Sequence, residues 1–431
     1  MWKLIFRNLW SRKRRVAWLF AEIVVVTIVI WVFIDPIIVN GYVESLPLGY
    51  DRDRLCLIKT NKISEVSPEY DPTRVDSVAV ADDMRNLLTR IRNLSDVESA
   101  TIVDWSYPEA MGSSMSGFKK DSVWITIQVM PLVRGFDYLT TFGMKAIPGS
   151  PGVDELQDMT SVRGNVVVTR TVAELMFPGK NPVGHYFGED EDDFAPEEGD
   201  YRVVGVIEDV RAKSVTSLPL LVFNYNDFNP DITYNIVVRL KDDTGKGRFI
   251  HDFKERMSAE MRSGNYRCYD IIPYEKFSKE SAYASGITND IRLKTFLSLF
   301  FFANLLLGVA GVFYLQTRKR SEEAGVMRSF GATPRRIRLM LLGEGWVLTT
   351  AGWLIGCLIY LQYAVKEGLA RSHDNTSYDV YDPSWVYDLP SHFIAVSLVV
   401  YVFMLIVVSA GISIPAWRIS RVNPVDALRH E

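Results

Sequence analysis

The chain has 431 residues, 48% of them hydrophobic and 23% charged, with a formal net charge of −4. That balance gives no electrostatic footing for nucleic acid. It also hides four apolar runs, Val16–Ile34, Phe296–Leu315, Trp346–Val365 and Phe393–Ile414, each near the length needed to cross about 30 Å of hydrocarbon, which excludes a simple soluble globule.

Residues 1–15 hold Lys3, Arg7, Arg12, Lys13, Arg14 and Arg15 and no acid. Basic residues also outnumber acidic ones in 316–344 and 416–431, so the excess of Lys and Arg places both termini and the middle segment in the cytoplasm. The expected order is a cytoplasmic segment 1–15, a span 16–34, an external domain with its stalk 35–292, and a span 293–315. A cytoplasmic segment 316–345, a span 346–365, an external loop 366–392, a span 393–415 and a cytoplasmic tail 416–431 follow. The fold class is membrane α-helical, four transmembrane helices with an α+β extracytoplasmic domain inserted between the first two. The first run is too long for a signal-peptide core, and its exit, FIDPIIVNGY, offers no A-x-A site, so an anchor is expected.

In the external region Val80, Met84, Leu87, Leu88, Ile91 and Leu94 predict an amphipathic helix. Strands are predicted at Glu98–Val103, Val123–Val133, Val166–Thr169, Tyr201–Val210, Leu220–Asn224, Tyr234–Leu240 and Tyr266–Ile272, with helices at Val172–Phe177 and around Phe249–Met261. Strands and helices alternate, which points to a mixed domain. From Pro273 the pattern turns helical and predicts a rod through Ser278–Lys294 into the second span, with Gly286 its one interruption. Cys56 and Cys268 share this region, and the sequence leaves open whether they are bridged.

The segment Gln316–Gly345 is helical rather than loop-like. Val326, Phe330, Thr333, Ile337, Met340, Leu341 and Glu344 recur at three- and four-residue steps, an apolar stripe fit for a bilayer surface or a groove. Gly331 can close one helix, and Thr333 can cap the next with Pro334 at its first position. Arg335, Arg336 and Arg338 crowd the start of that second helix, where the macrodipole disfavours positive charge. An acidic partner is therefore expected, either lipid headgroups or a protein. The alternative is a merely positive membrane flank.

Small residues mark the spans: Gly308 and Gly311 in the second, Gly352 and Gly356 as GxxxG in the third, and Ser409, Ala410, Gly411 and Ser413 in the fourth. They suggest helix packing within a bundle or a dimer. Glu22 is the one acid inside a span, a functional candidate or the partner of Arg14 or Arg15. There is no GxxxxGK[ST], GxSxG, HExxH or CxxC, and the five histidines are scattered. No catalytic residues, metal ligands or directly bound cofactors are expected. The tract EDEDD from Glu189 lacks the spacing of a calcium loop and reads as a solvated hairpin tip. Asn93 and Asn375 match glycosylation acceptors.

Together these pieces resemble the FtsX/MacB-like permease family, membrane subunits of type VII ABC transporters. The segment Glu323-Ala-Gly-Val-Met-Arg-Ser-Phe-Gly331-Ala332-Thr333 is similar to the family's E-I-G-I-R-x-x-x-G-A, with Ala324 and Met327 departing from it. Glu344 matches an acid opening the third span, and Pro415, Ala416, Arg418, Pro424, Ala427, Leu428 and Arg429 match the closing pattern. VVVTRTVAELMFPGKNPVGHYF and YRVVGVIEDVR resemble the MacB-like periplasmic core domain, with Thr169 in place of a usual Asn.

The resemblance implies a bacterial inner-membrane permease that dimerises with itself or a paralogue and binds a separate cytoplasmic ABC ATPase, which carries the ATP. Glu323, Gly331, Ala332, Thr333, Arg335, Arg336, Arg338 and Glu344 would form the coupling element, and ATP-driven closure would move the external domain by mechanotransmission. Export of a periplasmic small molecule or peptide is the first expected output, with a periplasmic adaptor and an outer-membrane channel as possible further partners. Lipoprotein release and control of a cell-wall hydrolase are alternatives within the family. A membrane ligand sensor is the alternative outside it.

Overall fold

The computed structural model describes residues 13–420, apart from 113, 121–122, 134–135, 160–161, 163, 190–200, 216–219, 227, 230, 243–244, 319–320 and 371–383. The EDEDD tract beyond Glu189, Asn375 and the closing residues from 421 onward lie outside this set.

The chain divides into two compact units, one built from residues 1–42, 289–371 and 383–431, the other from 43–288 and 372–382. In chain order the elements are α1 (Lys13–Ser45), β1 (Leu55–Lys62), α2 (Ser77–Arg92), β2 (Val97–Val103), β3 (Ser114–Lys120), β4 (Val123–Val133), α3 (Tyr138–Phe142) and α4 (Val153–Met159). Then come β5 (Asn165–Thr169), α5 (Arg170–Met176), β6 (Tyr186–Glu189), β7 (Tyr201–Ile207), β8 (Leu221–Asn226), β9 (Asn235–Leu240), α6 (Lys246–Glu260), β10 (Arg262–Ser263) and β11 (Tyr266–Pro273). The chain closes with α7 (Tyr274–Ala284), α8 (Ile287–Arg318), α9 (Ser321–Ser329), α10 (Pro334–Glu367) and α11 (Leu389–Ile419).

The mixed unit holds a five-stranded antiparallel sheet in the order β10-β11-β1-β9-β2 and a closed barrel in the order β3-β4-β8-β5-β7-β6. Strand β1 shows how two cores share one sheet. Leu55 and Leu57 face a core with Val167, Phe223 and Tyr274, while Cys56 and Ile58 face α2 and α6 through Met84, Leu87 and Phe253. This is the period-two alternation of a strand buried on both sides. Helix α2 begins where the Asp76 side chain accepts from Ala79 N at 2.8 Å. Cys56 pairs in register with Pro273, and Cys268 with Thr60. Four residues of offset at about 3.4 Å each put the two thiols beyond disulfide reach. Both are free and buried, and burial pushes each thiol up to about 12.

The predicted rod from Ser278 to Lys294 is two helices instead. Helix α7 ends at Ala284, and Gly286 takes a φ of +78° before α8 begins, a conformation that only glycine adopts cheaply.

In the other unit, α1, α8, α10 and α11 are four helices long and apolar enough to cross a membrane. Each exceeds 30 residues, so each rises about 45 Å or more, longer than the hydrocarbon needs. Helices α1, α10 and α11 share one core of Leu19, Ile23, Trp31, Leu348, Tyr360, Val400 and Met404. Trp31 stacks on Tyr360 and Phe393, with ring centroids 4.5 and 5.2 Å away, and its Nε1 donates to Ser397 Oγ at 3.2 Å. Helix α8 contributes rings to this bundle, Phe301 on Phe33 and Phe302 on Phe403.

Candidate coupling segment

The helix–turn–helix between α8 and α10 is built by its turn. Ala332 N donates to Met327 O at 3.0 Å and Gly331 N to Arg328 O at 2.9 Å, with Gly331 at φ +86°. These are the two bonds of a Schellman motif, which satisfies the last carbonyls of α9. The next helix starts at once. Thr333 Oγ1 accepts from Arg336 N, and Pro334 occupies the first turn, where a missing N–H costs nothing.

The stripe read from the sequence does not stay on one surface. Ile337 and Leu341 are buried in the helical core together with Ala324, and Met327, Ala332 and Leu342 pack against its edge. Val326 and Phe330 point away from it, and Phe330 is 87% exposed at the tip of the turn. The segment is therefore seated by one set of apolar residues while it presents another. Sequence reasoning placed Phe330 in the stripe and missed its position at the apex.

Among the charged candidates, Glu344 is buried at 4% exposure in α10, and the Glu323 side chain lies outside the described residues. Arg335 and Arg336 are exposed and Arg338 is half-buried. Arg335 and Arg338, one helical turn apart, line a groove with Trp417 and Arg418 of α11. Arg336 is not part of that lining. Among the described residues, no carboxylate lies within ion-pair distance of these arginines, and the Arg338 Nε is buried without a hydrogen-bond partner.

The small residues divide. A Cβ on Gly352 would stand 2.6 Å from Ile23 Cγ2, and one on Gly356 2.8 Å from Thr27 Cβ, so this GxxxG seats α10 on α1 within the chain. Gly345 does the same against Ile412 of α11. Gly308 approaches only Glu22, at 3.9 Å, and Gly311 faces open space. Glu22 turns toward Gly308 with its Oε2 buried and unpartnered among the described residues.

Two further clusters were not visible in the sequence. Asp35 and His392 form a fully buried pair, with Asp35 Oδ1 2.6 Å from His392 Nε2, while Asp35 Oδ2 accepts from Ala370 N at 2.9 Å. His392 Nδ1 lies 2.7 Å from the Val386 carbonyl, an acceptor only, so Nδ1 carries a hydrogen and one further proton is shared with Asp35. In the mixed unit, Arg211 donates to the carbonyls of Val43, Leu46, Pro47 and Ser214. Nearby, Glu109, at φ +67°, accepts from Tyr50 Oη and Ser214 N, and Ser214 Oγ meets Ser278 Oγ of α7 at 3.3 Å.

This architecture defines a membrane protein with four candidate spanning helices and a mixed α/β domain between the first and second. Residues 295–424, the part of the chain that holds this segment, α10, α11 and most of α8, match the FtsX-like permease C-terminal family. No curated protein matches the chain. Among solved structures, the periplasmic region of MacB from Actinobacillus actinomycetemcomitans is similar at 13% identity and a TM-score of 0.32, covering 54% of this chain and 94% of that one. The extracellular domain of the noncanonic ABC-type transporter YknZ from Gram-positive bacteria is similar at 12% identity and a TM-score of 0.28, covering 50% of this chain and all of that one. Likenesses of that size do not bear on function.

Proposed function

We propose that this chain is the permease subunit of an ABC transporter and couples ATP hydrolysis on a separate ATPase to movement of its mixed domain. The observation that carries the reading is the turn at Gly331. Inside a region that matches a permease family, a helix–turn–helix anchored by Ile337 and Leu341 holds Phe330 out as an uncovered aromatic. An aromatic of that kind, followed by the exposed Arg336 in the first turn of the next helix, is a fitting anchor for a protein partner with an acidic rim. Both termini and this segment would face the cytoplasm of an inner membrane, as the distribution of Lys and Arg implies.

Two of the covalent connections out of the spans would carry the movement. One is the end of α1, whose carbonyls Arg211 holds. The other is the α7–α8 joint at Gly286, where a flexible backbone can turn a shift of one helix into rotation of the next. Ser214, bonded to both Glu109 and Ser278, ties residues near each connection together inside the mixed domain. The work done there would be export of a small molecule or peptide on that side of the membrane. A second permease copy would complete the assembly, and the open Gly311 face of α8 is available to it.

The reading is tested by capture of an ATPase on the detergent-solubilised chain, with and without ATP. Phe330→Asp and Arg336→Glu are expected to abolish capture that wild type shows. Equal capture by these variants would remove the coupling role.

A further inference from the structure

We propose that the groove between the start of α10 and the end of α11 is a binding site for one anionic glycerophospholipid. The groove encloses about 740 Å³. Arg335, Arg338 and Arg418 line it, and apart from Ser413 the rest of its wall is apolar, including Leu339, Ile414 and Trp417. These three side chains are 52%, 70% and 48% exposed. Cationic and greasy surfaces share one trough, which is the recognition chemistry of a charged amphiphile.

Among the described residues no carboxylate is within ion-pair distance of the three arginines, and Arg338 Nε is buried without a partner. A buried N–H of a charged group left unbonded is costly, so an acceptor is required there. A phosphodiester supplies oxygens in the geometry that a planar guanidinium binds in bidentate fashion.

Depth selects a lipid over a soluble anion. Arg338 lies eight residues before Trp346, where the apolar run of α10 begins, so it sits about 12 Å below that point along the helix. That is headgroup level, with Trp417 at the same end as an interfacial aromatic. An acyl chain running from this level along Leu339 and Ile414 would enter the hydrocarbon directly. The site explains why Arg335 and Arg338 stand against the positive end of the α10 dipole, which otherwise opposes them, while Arg418 in the last turn of α11 is placed where a helix dipole favours it. It stands independently of the coupling reading, because Phe330 and Arg336 are outside the groove.

The test uses the full chain in mild detergent, titrated with dioleoyl phosphatidylglycerol or dioleoyl phosphatidylcholine and read by native mass spectrometry. One phosphatidylglycerol per chain is expected to be retained at about tenfold lower concentration than phosphatidylcholine. The variant R335Q/R338Q/R418Q is expected to lose that preference and R336Q to keep it. The single exposed substitution R418Q guards against misfolding of the triple variant and is expected to weaken retention several-fold. Equal retention of the two lipids by wild type, or undiminished retention by R418Q and the triple variant, would overturn the proposal. So would a triple variant that keeps its phosphatidylglycerol but loses ATPase capture, since the groove would then be a protein docking surface.

Discussion

Arg211 Nη2 donates to the Leu46 carbonyl at 2.6 Å, and the same guanidinium reaches Val43 O at 2.8 Å and Pro47 O at 3.1 Å. A buried cation thus closes the C-terminal end of α1, where carbonyls lack helical partners and the dipole favours positive charge. Burial pulls the Arg211 pKa down, yet these acceptors need a donor at every pH at which the protein works. Arg211→Met is expected to cost about 3 kcal/mol or more, because several buried carbonyls lose their donor together. Arg211→Lys should recover only part of this. Thermal melts of the full chain in detergent check both, and a neutral Arg211→Met would contradict the role.

The Asp35–His392 pair makes a second prediction. Both side chains are buried, and each is the other's principal partner. His392→Leu strands a carboxylate beside one backbone N–H and is expected to destabilise by about 3–5 kcal/mol. The double variant Asp35→Leu/His392→Leu should be less damaging than the single. A double-mutant cycle by thermal melting measures the coupling, and additive losses would show that the pair is not a unit.

Asp104 carries a pH dependence. It is 5% exposed, and burial raises its pKa to about 6 against the bonds from Ser106 N and other backbone groups. Below about pH 4 the acid is protonated in both folded and unfolded chains and imposes no penalty. Between about pH 4 and 6 the unfolded state ionises first, so stability falls as pH rises, and above 6 the loss is constant. Asp104→Asn keeps an oxygen for Ser106 N and removes the titration. Its stability relative to wild type is expected to grow from near zero at pH 4 to about 3 kcal/mol at pH 7. Denaturant melts across that window check the sign, and a flat difference would refute it.

The glycines separate by position. Gly356→Leu would drive a side chain into Thr27 and the Val24 carbonyl and is expected to cost at least about 2 kcal/mol by overpacking. Gly311→Leu meets nothing within the chain and should leave the melting temperature of the monomer unchanged. Loss of a dimer on size exclusion by Gly311→Leu alone would support α8 as the face for a second copy.

Much of this was legible in local sequence. Four apolar runs gave the spans, and Gly331, Thr333 and Pro334 gave a turn whose bonds depend on neighbours five residues apart at most. The Gly352/Gly356 spacing announced close packing but not its partner, since Ile23 and Thr27 are more than 300 residues away in sequence. Long-range polar pairing left no local trace. Arg211 and Leu46 are 165 residues apart, Asp35 and His392 357. Strand β1 was missed because LCLI is buried on both faces while KTNK alternates weakly, so neither half shows a clean period. The exposure of Phe330 escaped for a similar reason. A helical stripe assumes one continuous helix, and the reversal at Gly331 sends its two halves to different surroundings.

Capture of an ATPase on the solubilised chain decides whether the Phe330 turn is a coupling element. Wild type should recover an ABC ATPase in a nucleotide-dependent manner, Phe330→Asp and Arg336→Glu should not, and R335Q/R338Q/R418Q should still do so. Equal recovery by wild type and the Phe330 and Arg336 variants, or no ATPase with wild type at all, would contradict that role.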